Sequence, residues 1–344
     1  MTNQPDLLKV LSGQAVNPPP IWLMRQAGRY LPEYRDIRRQ APNFLEFCLN
    51  PDLAVEATLQ PLRRYPFDAA ILFADILVIP HALGLKVEFL EGEGPHVQIV
   101  DGAAELSLMD NATPEPVWAP IMETVRRLRA ELPPQTALIG FAGAPWTVAT
   151  YMLQGRGGKD KSAARKVAWD DPGRMDAVLE RLTDATIAYL AAQAEAGAQA
   201  LKIFDSWADG LSPPLFDHLV IAPTRRIVAG LRARGIDTPI IGFPRGCGWA
   251  LSRYVNETGV DGVAVDTGVS LSWARSQVPD TIAIQGCLDP VLLTGSGRGL
   301  ESEIDRLLDE AENAPYIFNL GHGITPDADP ELVKRVVDRV KVRG

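Results

Sequence analysis

The chain has 344 residues, of which 46% are hydrophobic and 22% charged, so it is long enough to bury a large core. Its formal net charge of -9 argues against nucleic acid or an anionic membrane as the main partner, because both bind basic surfaces. The three cysteines form no Cys-x-x-Cys pair, so we expect neither a disulfide framework nor a metal site.

The N-terminus predicts neither export nor membrane insertion. It lacks a basic start followed by an apolar stretch, and the most apolar region, Ala69–Leu85, is interrupted by Asp75, Pro80 and His81. We therefore expect a cytoplasmic protein. No repeat or linker marks an internal boundary, so residues 1–344 are predicted to form a single domain.

Short apolar runs alternate with amphipathic stretches, which is typical of parallel strands joined by helices. The predicted strands are Pro20–Met24, Ala69–Phe73, Ala137–Phe141, Ala200–Phe204, Pro239–Phe243, Gly262–Val265, Ile282–Gly286 and Tyr316–Leu320. The predicted helices are Pro116–Leu132, Arg174–Ala196, Pro214–Arg234, Leu251–Glu257, Leu300–Glu312 and Pro330–Val342. The pattern predicts the α/β class.

Eight strands are the number that closes a TIM-type barrel, and such a barrel needs roughly 250 residues. We therefore predict a single (α/β)8 TIM-type barrel with an extra N-terminal segment and a hairpin insertion. The hairpin is predicted at Lys86–Leu90 and His96–Val100, where apolar and polar residues alternate. A doubly wound open sheet is the competing fold.

Polar residues follow most of the predicted strands. In a parallel barrel the carboxyl ends of the strands meet around one pocket, so these residues are expected to lie together. They are Arg25, Arg29, Asp75, Tyr151, Asp205, Ser206, Asp266, Asp289 and His322.

The stretch after the first run is rich in arginine. Arg25, Arg29 and Arg38 can each bind a carboxylate through a planar fork of donors, which predicts a polycarboxylate ligand. A solvated basic helix is the alternative. Asp75 stands among apolar residues, where a carboxylate is costly unless it accepts hydrogen bonds from a ligand or caps a helix. Tyr151 is either a ligand contact or a core aromatic residue.

Several common catalytic motifs do not occur in the chain. It has no Gly-x-x-x-x-Gly-Lys-Ser/Thr, no Gly-x-Gly-x-x-Gly after a strand, no Gly-x-Ser-x-Gly and no His-Glu-x-x-His. Nucleotide, flavin and serine-hydrolase functions are therefore not predicted.

Two long segments, Pro19–Arg35 and Gly140–Gly155, resemble the signature sequences of the uroporphyrinogen decarboxylase family. Shorter matches at Phe73–Leu77, Phe204–Ser206 and Asn319–Gly323 follow in the order typical of the family. Two positions differ from its pattern. Cys287 stands where the family has Asn before Leu-Asp-Pro, and Asp205 stands where some members have Glu.

The resemblance implies a homodimeric barrel enzyme of porphyrin and heme biosynthesis. Such an enzyme converts uroporphyrinogen III to coproporphyrinogen III without a cofactor, turning four acetate side chains into methyls and releasing four CO2. It also implies that Asp75, Arg25 and Tyr151 are catalytic, with Asp75 accepting hydrogen bonds from the pyrrole N–H groups. The substrate contacts implied are Arg25, Gln26, Ala27, Gly28, Arg29, Arg38, Asp75, Tyr151, Phe204, Ser206 and His322. Arg25, a bound water and another side chain all remain open as the proton donor.

Two other functions are considered. A zinc- and corrinoid-linked methyltransferase of the same superfamily needs a His-x-Cys after the fifth strand, whereas no histidine lies near Cys247 in Gly242–Gly248. A non-catalytic tetrapyrrole carrier has no evident need for Asp75 together with Arg25 and Arg29.

Overall fold

A computed structural model describes residues 4–90, 94–158 and 160–343. Its main sheet has seven parallel strands in the order β1-β4-β5-β6-β7-β8-β9, and β2 pairs antiparallel with β3 in a separate sheet. The strands are β1 (Ala69–Ile71), β2 (Val87–Leu90), β3 (Gly94–Val97), β4 (Ala137–Gly143), β5 (Ala200–Asp205), β6 (Ile240–Pro244), β7 (Gly262–Ala264), β8 (Ala283–Leu288) and β9 (Tyr316–Leu320). Neighbours in the main sheet follow chain order, as in a TIM-like α/β fold.

Seven of the eight predicted strands are confirmed, with ends within two residues of the prediction. Strands β4 to β9 are buried along their whole length, which explains why they are continuous apolar runs rather than alternating ones. The antiparallel pair occurs where the hairpin was predicted, but its second strand is Gly94–Val97 instead of His96–Val100.

The predicted strand Pro20–Met24 is wrong. Only Ile21 forms a bridge, to Phe318 of β9, and its own N–H donates to the Asp68 carboxylate at 2.7 Å. The N–H groups of Leu23 and Met24 donate to the side chains of Gln26 and Asn319 and not to a neighbouring strand, so the ladder does not continue. The segment nevertheless contacts both edges of the main sheet. Ile21 forms the bridge to β9, and its carbonyl accepts a hydrogen bond at 2.9 Å from the N–H of Asp68, which lies just before β1.

Helices connect the strands. The α-helices are α1 (Asp6–Leu11), α2 (Pro32–Arg38), α3 (Phe44–Cys48), α4 (Pro51–Arg64), α5 (Val78–Ala82), α6 (Ala103–Asp110), α7 (Pro114–Glu131), α8 (Pro145–Gln154), α9 (Ser162–Asp170), α10 (Pro172–Glu195), α11 (Pro213–Phe216), α12 (Ala222–Ala233), α13 (Leu251–Thr258), α14 (Leu271–Gln277), α15 (Leu300–Glu310) and α16 (Pro330–Arg343). None of those in the described ranges is both long and apolar enough to cross a membrane.

The predicted helices are confirmed with ends within two residues, apart from one interruption. Helices α7 and α10 begin two residues early, at Pro114 and Pro172, because proline fits the first helical position. The predicted helix Pro214–Arg234 is divided by a π-helical turn at Asp217–Ile221.

Helix α4 was not predicted, although its start carries a recognisable signal. The Asn50 side chain accepts hydrogen bonds from the N–H groups of Asp52 at 3.0 Å and Leu53 at 3.2 Å, and Pro51 occupies the first helical position. Such an Asn-Pro pair is a typical N-terminal cap.

Candidate active site

The side chains predicted for the site lie beyond the carboxyl ends of the main sheet's strands. Arg25, Asp75 and Tyr151 act on one another electrostatically, and Arg25 also acts on His322, although the four residues come from separate parts of the chain. We call these four residues, together with Phe204 at the end of β5, the candidate site. Four of the nine residues that the sequence predicted to share a pocket therefore lie near one another.

The loop that carries Arg25 is held by the side chain of Gln26. Gln26 is buried, its Oε1 accepts from the Leu23 N–H at 3.1 Å, and its Nε2 donates to the Ala69 carbonyl at 3.2 Å. This side chain therefore ties the loop to β1, and both its oxygen and its nitrogen already have a protein partner. In the described residues the N–H groups of Ala27 and Gly28 have no acceptor, so the backbone of this stretch can donate to an anion.

Arg25 has an unusual backbone and a close neighbour. Its φ of 63° lies in the left-handed region, which non-glycine residues rarely adopt and which often marks functional sites. Its side chain passes over Gly323, where a Cβ would lie 2.5 Å from Arg25 Cδ. The guanidinium is open to solvent on one side but surrounded by protein elsewhere, and this burial lowers its pKa. Asp75 opposes the shift, whereas Arg29 adds to it.

Asp75 combines a structural contact with an open oxygen. Its Oδ1 accepts from the Leu77 N–H at 2.8 Å and so shapes the turn before α5, but it does not cap that helix, whose N-cap is Leu77 with no side-chain hydrogen bond. No donor in the described ranges reaches Oδ2. Burial raises the pKa of Asp75 to about 6, although the Leu77 hydrogen bond and Arg25 act in the opposite direction. The carboxylate is therefore largely ionised at neutral pH and can still accept a hydrogen bond.

Tyr151 lies on α8, which ends at Gln154 and is followed by Gly155 as its C-cap. Its ring packs beside Trp207 with centroids 6.4 Å apart, and burial raises the pKa of its hydroxyl, so the phenol is neutral. Gly157 lies against it so closely that an added Cβ would be 2.7 Å from the hydroxyl oxygen. A glycine at position 157 thus leaves room for the tyrosine.

Phe204 forms an aromatic wall with Phe141 and Phe243, whose ring centroids are 5.5 and 6.3 Å from its own. Beneath it, the fully buried Lys202 points its Nζ at the rings of Trp22, Phe204 and Phe243, at 5.1 to 5.4 Å from their centroids. Burial places the pKa of Lys202 well below its usual value. This lysine was not predicted from the sequence.

Ser206 is half-buried and does not cap a helix, because α11 begins only at Pro213. The adjacent Asp205 points elsewhere. It is buried, its Oδ1 accepts from the Thr147 hydroxyl at 2.5 Å, and burial raises its pKa to about 7. The Thr147 hydroxyl oxygen also accepts a hydrogen bond from the Trp207 N–H at 3.1 Å. Asp205 and Thr147 together therefore connect the loop after β5 with α8.

His322 is half-buried near Phe243, with ring centroids 6.5 Å apart. Burial lowers its pKa to about 4, and the positive charges of Arg245 and Arg25 add to the shift. The imidazole is therefore neutral at pH 7. Its Nδ1 is buried, and no partner for it occurs in the described part of the chain.

Arg29 and Arg38 border the site differently. Arg29 is exposed, whereas Arg38 is half-buried, donates to the Ala41 carbonyl at 3.0 Å and lies over the rings of Phe44 and Phe47. Arg38 faces the thiol of Cys48, whose pKa is affected by both Asp75 and Arg38. Arg38 is therefore on the Asp75 side of the site.

Asp266 and Asp289, which the sequence placed after strands without a specific role, both accept hydrogen bonds from the backbone. Asp266 accepts from the N–H groups of Gly246 at 2.7 Å and Gly268 at 3.0 Å, and Asp289 accepts from that of Val291 at 3.0 Å. Within residues 4–90, 94–158 and 160–343, no three His, Cys, Asp or Glu side chains are grouped so as to hold a metal.

Sequence reasoning missed Arg245, which follows β6 directly and acts electrostatically on both Arg25 and His322. Its position after a predicted strand was the available signal. The close approach at Gly323 has no local sequence signal, because it depends on Arg25 near the other end of the chain, whereas that at Gly157 involves Tyr151, six residues earlier.

Comparisons with known proteins agree along the whole chain. The model of the family described as uroporphyrinogen decarboxylase (URO-D) matches residues 2–342. A uroporphyrinogen decarboxylase from Maricaulis maris is 54% identical over 344 residues, which is 100% of this chain and 99% of that protein. One from Caulobacter vibrioides (strain NA1000 / CB15N) is 52% identical over 337 residues, or 98% of this chain and 95% of that protein.

Among solved structures, a methyltransferase from Methanosarcina mazei superposes with a TM-score of 0.77. It covers 100% of this chain and 99% of its own, at 20% identity, so the likeness concerns the fold alone. The family model and the two relatives carry more than the fold, because they match in sequence from end to end. The chain belongs to the uroporphyrinogen decarboxylase family.

Proposed function

We propose that this chain converts uroporphyrinogen III to coproporphyrinogen III in porphyrin and heme biosynthesis, releasing four CO2 from the acetate side chains. Family membership supports the reaction. The observation in the site that carries it is Asp75, a half-buried carboxylate with one open oxygen beside the guanidinium of Arg25.

The substrate supplies the electron sink, a task that enzymes often give to a cofactor. A proton adds to the pyrrole carbon next to the one that bears the acetate, and the ring becomes cationic. The bond between the acetate methylene and its carboxylate then breaks, CO2 leaves, and the electron pair moves into the ring. Protonation of the methylene carbon gives the methyl group, and loss of the first proton restores the pyrrole.

Asp75 stabilises this cation. Its open oxygen accepts hydrogen bonds from pyrrole N–H groups, and its negative charge is in place before the ring becomes positive. The carboxylate is already partly removed from water, as its raised pKa of about 6 indicates, so its interaction with the cation is stronger than in bulk solvent.

The carboxylates of the substrate are bound by donors around Asp75. Arg25 holds the reacting acetate, while Arg29, Arg38 and the N–H groups of Ala27 and Gly28 bind others. Tyr151, Ser206 and the neutral His322 donate hydrogen bonds, and Phe204 packs against the macrocycle. The proton comes from Arg25, whose pKa burial lowers, from a water held there, or from another side chain.

The same proposal includes the finer architecture. Residues 1–344 form one domain in which Pro20–Met24 occupies the eighth position between β9 and β1, and its contacts with Phe318 and Asp68 support this closure. The chain assembles as a homodimer, as the resemblance implies. Sedimentation of the purified protein tests this, and a monomer at micromolar concentration would contradict it.

One experiment tests the function directly. Purified, chelator-treated protein is incubated anaerobically with uroporphyrinogen III, the products are oxidised, and the porphyrins are separated by their number of carboxyl groups. We expect species with seven to four carboxyl groups to appear in succession. A substrate that is bound but keeps all its carboxyl groups would instead indicate a tetrapyrrole carrier.

A further inference from the structure

Arg245 has a rigid backbone. Its N–H donates to the carbonyls of Phe243 at 3.0 Å and Asp205 at 3.2 Å. The next residue, Gly246, has a φ of +76°, and a Cβ there would lie 2.5 Å from Cβ of Asp209. The Gly246 N–H is also bound by Asp266. The turn after β6 is therefore fixed at the point where the Arg245 side chain leaves it.

The guanidinium of Arg245 is unpaired in the part of the chain that the structure describes. The side chain is half-buried, and in residues 4–90, 94–158 and 160–343 no acceptor or carboxylate lies within bonding distance of it. The nearby Asp266 uses its two oxygens for backbone N–H groups. Arg245 thus adds a positive charge near Arg25 and His322 without forming an ion pair in the described residues, although the carboxylate of Asp266 lies in the same neighbourhood.

Several other arginines of the chain are ion-paired. On the outer helices Arg181, Arg339 and Arg253 pair with carboxylates at 2.5 to 2.8 Å, as expected for a protein with a net charge of -9. Unpaired like charges repel one another, which costs folding free energy. An arrangement of this kind becomes favourable when an anion binds between the cations.

We propose that Arg245 binds a carboxylate of the substrate, on the His322 side of Arg25, as a further substrate-binding residue. This inference rests on the proposed function, since the substrate is a tetrapyrrole with carboxylates around its whole rim. The arginines predicted from the sequence come from the loop and helix at residues 25–38, so Arg245 would serve a part of the rim that they do not reach.

The test compares Arg245→Gln and Arg245→Lys with the matched control Arg253→Gln, which removes an ion-paired arginine on α13. Binding of uroporphyrin I, an oxidised tetrapyrrole with eight carboxylates, is followed by its fluorescence, and KM and kcat are measured with uroporphyrinogen III. The melting temperature of each ligand-free variant is recorded as well.

We expect Arg245→Gln to raise both Kd and KM about tenfold, with a smaller change in kcat, because one charge-assisted contact is lost. Arg245→Lys should retain part of the affinity. The melting temperature of Arg245→Gln should stay equal or rise, since like-charge repulsion is relieved. Arg253→Gln should leave Kd within about twofold of the unmodified protein.

An unchanged Kd and KM for Arg245→Gln would overturn the inference, as would an unchanged Kd with a lower melting temperature, which indicates a structural role. The proposed function fails separately. If the unmodified protein releases no CO2 but its affinity for uroporphyrin I depends on Arg245, the reaction is wrong and the carboxylate site remains.

Discussion

Replacing Asp75 by asparagine removes the central negative charge while keeping an oxygen that can accept from the Leu77 N–H. The fold should therefore persist. Loss of one preorganised electrostatic group typically lowers kcat by about 10² to 10³, so we expect Asp75→Asn to lose decarboxylation by that order. A matched control is Asp289→Asn, because Asp289 makes the same contact with the N–H two residues on but lies outside the candidate site.

The pH dependence follows from the raised pKa of about 6. The charged form of Asp75 is the active one, and it makes up about 90% of the molecules at pH 7 and about 10% at pH 5. Activity should therefore fall about tenfold as the pH drops between these values, provided that the protein remains folded. The measurement is steady-state kcat/KM from pH 5 to 8, which gives the acidic limb of the pH profile. Melting temperatures over the same range are the control for folding.

The two experiments are linked. Because asparagine does not titrate, Asp75→Asn should also lose the acidic limb near pH 6, and its residual rate should be flat there. Normal turnover of Asp75→Asn, or an unchanged acidic limb in this variant, would refute the role given to Asp75 in stabilising the cationic ring.

Other substitutions test the surroundings of Asp75. In the unmodified protein KM for uroporphyrinogen should increase with salt, because exposed ion pairs are screened. Arg29→Ala should raise KM and make it less sensitive to salt. A KM of the unmodified protein that is independent of salt would contradict this. Gly157→Ala puts a Cβ 2.5 Å from Tyr151 Cε1 and should lower kcat/KM with little change in melting temperature, whereas Gly158→Ala, with no atom nearer than 3.9 Å, should do neither. Lys202→Met removes a buried amine without a hydrogen-bond partner, so it should raise the melting temperature at pH 7 by about 1–4 °C. Since the unfolded lysine loses its proton near pH 10.4, that gain should shrink towards pH 10, and a destabilised variant at pH 7 would contradict the reasoning.

Much of the fold could be predicted because the strands are buried on both faces. Continuous apolar runs therefore mark them, and β9 was placed to the residue at Tyr316–Leu320. The run Pro20–Met24 has the same composition, yet side chains such as Asp68 bind its N–H groups in place of a strand partner. The composition of the run does not reveal that a side chain takes the place of a neighbouring strand, since Asp68 lies far along the chain.

The candidate site could be predicted where a polar residue comes soon after a predicted strand, as Asp75 comes two residues after the predicted strand Ala69–Phe73. Family resemblance then selected among those residues. The role proposed for Arg245 could not be derived in the same way, because it depends on the absence of a carboxylate partner in the described part of the chain. The role of Gln26 was also hidden, since its bonds to Leu23 and Ala69 are buried inside the loop.

The contact between Arg25 and Gly323 has a consequence for how the protein is made. The loop that carries Arg25 is bound to the segment that follows β9. The Met24 N–H donates to Asn319 Oδ1 at 3.0 Å, and the Ile324 N–H donates to the Met24 carbonyl at 2.9 Å. A chain emerging from the ribosome cannot fix this loop until nearly all of it has been synthesised. Truncation just before Asn319 should thus abolish turnover even though Asp75 and Arg25 remain present.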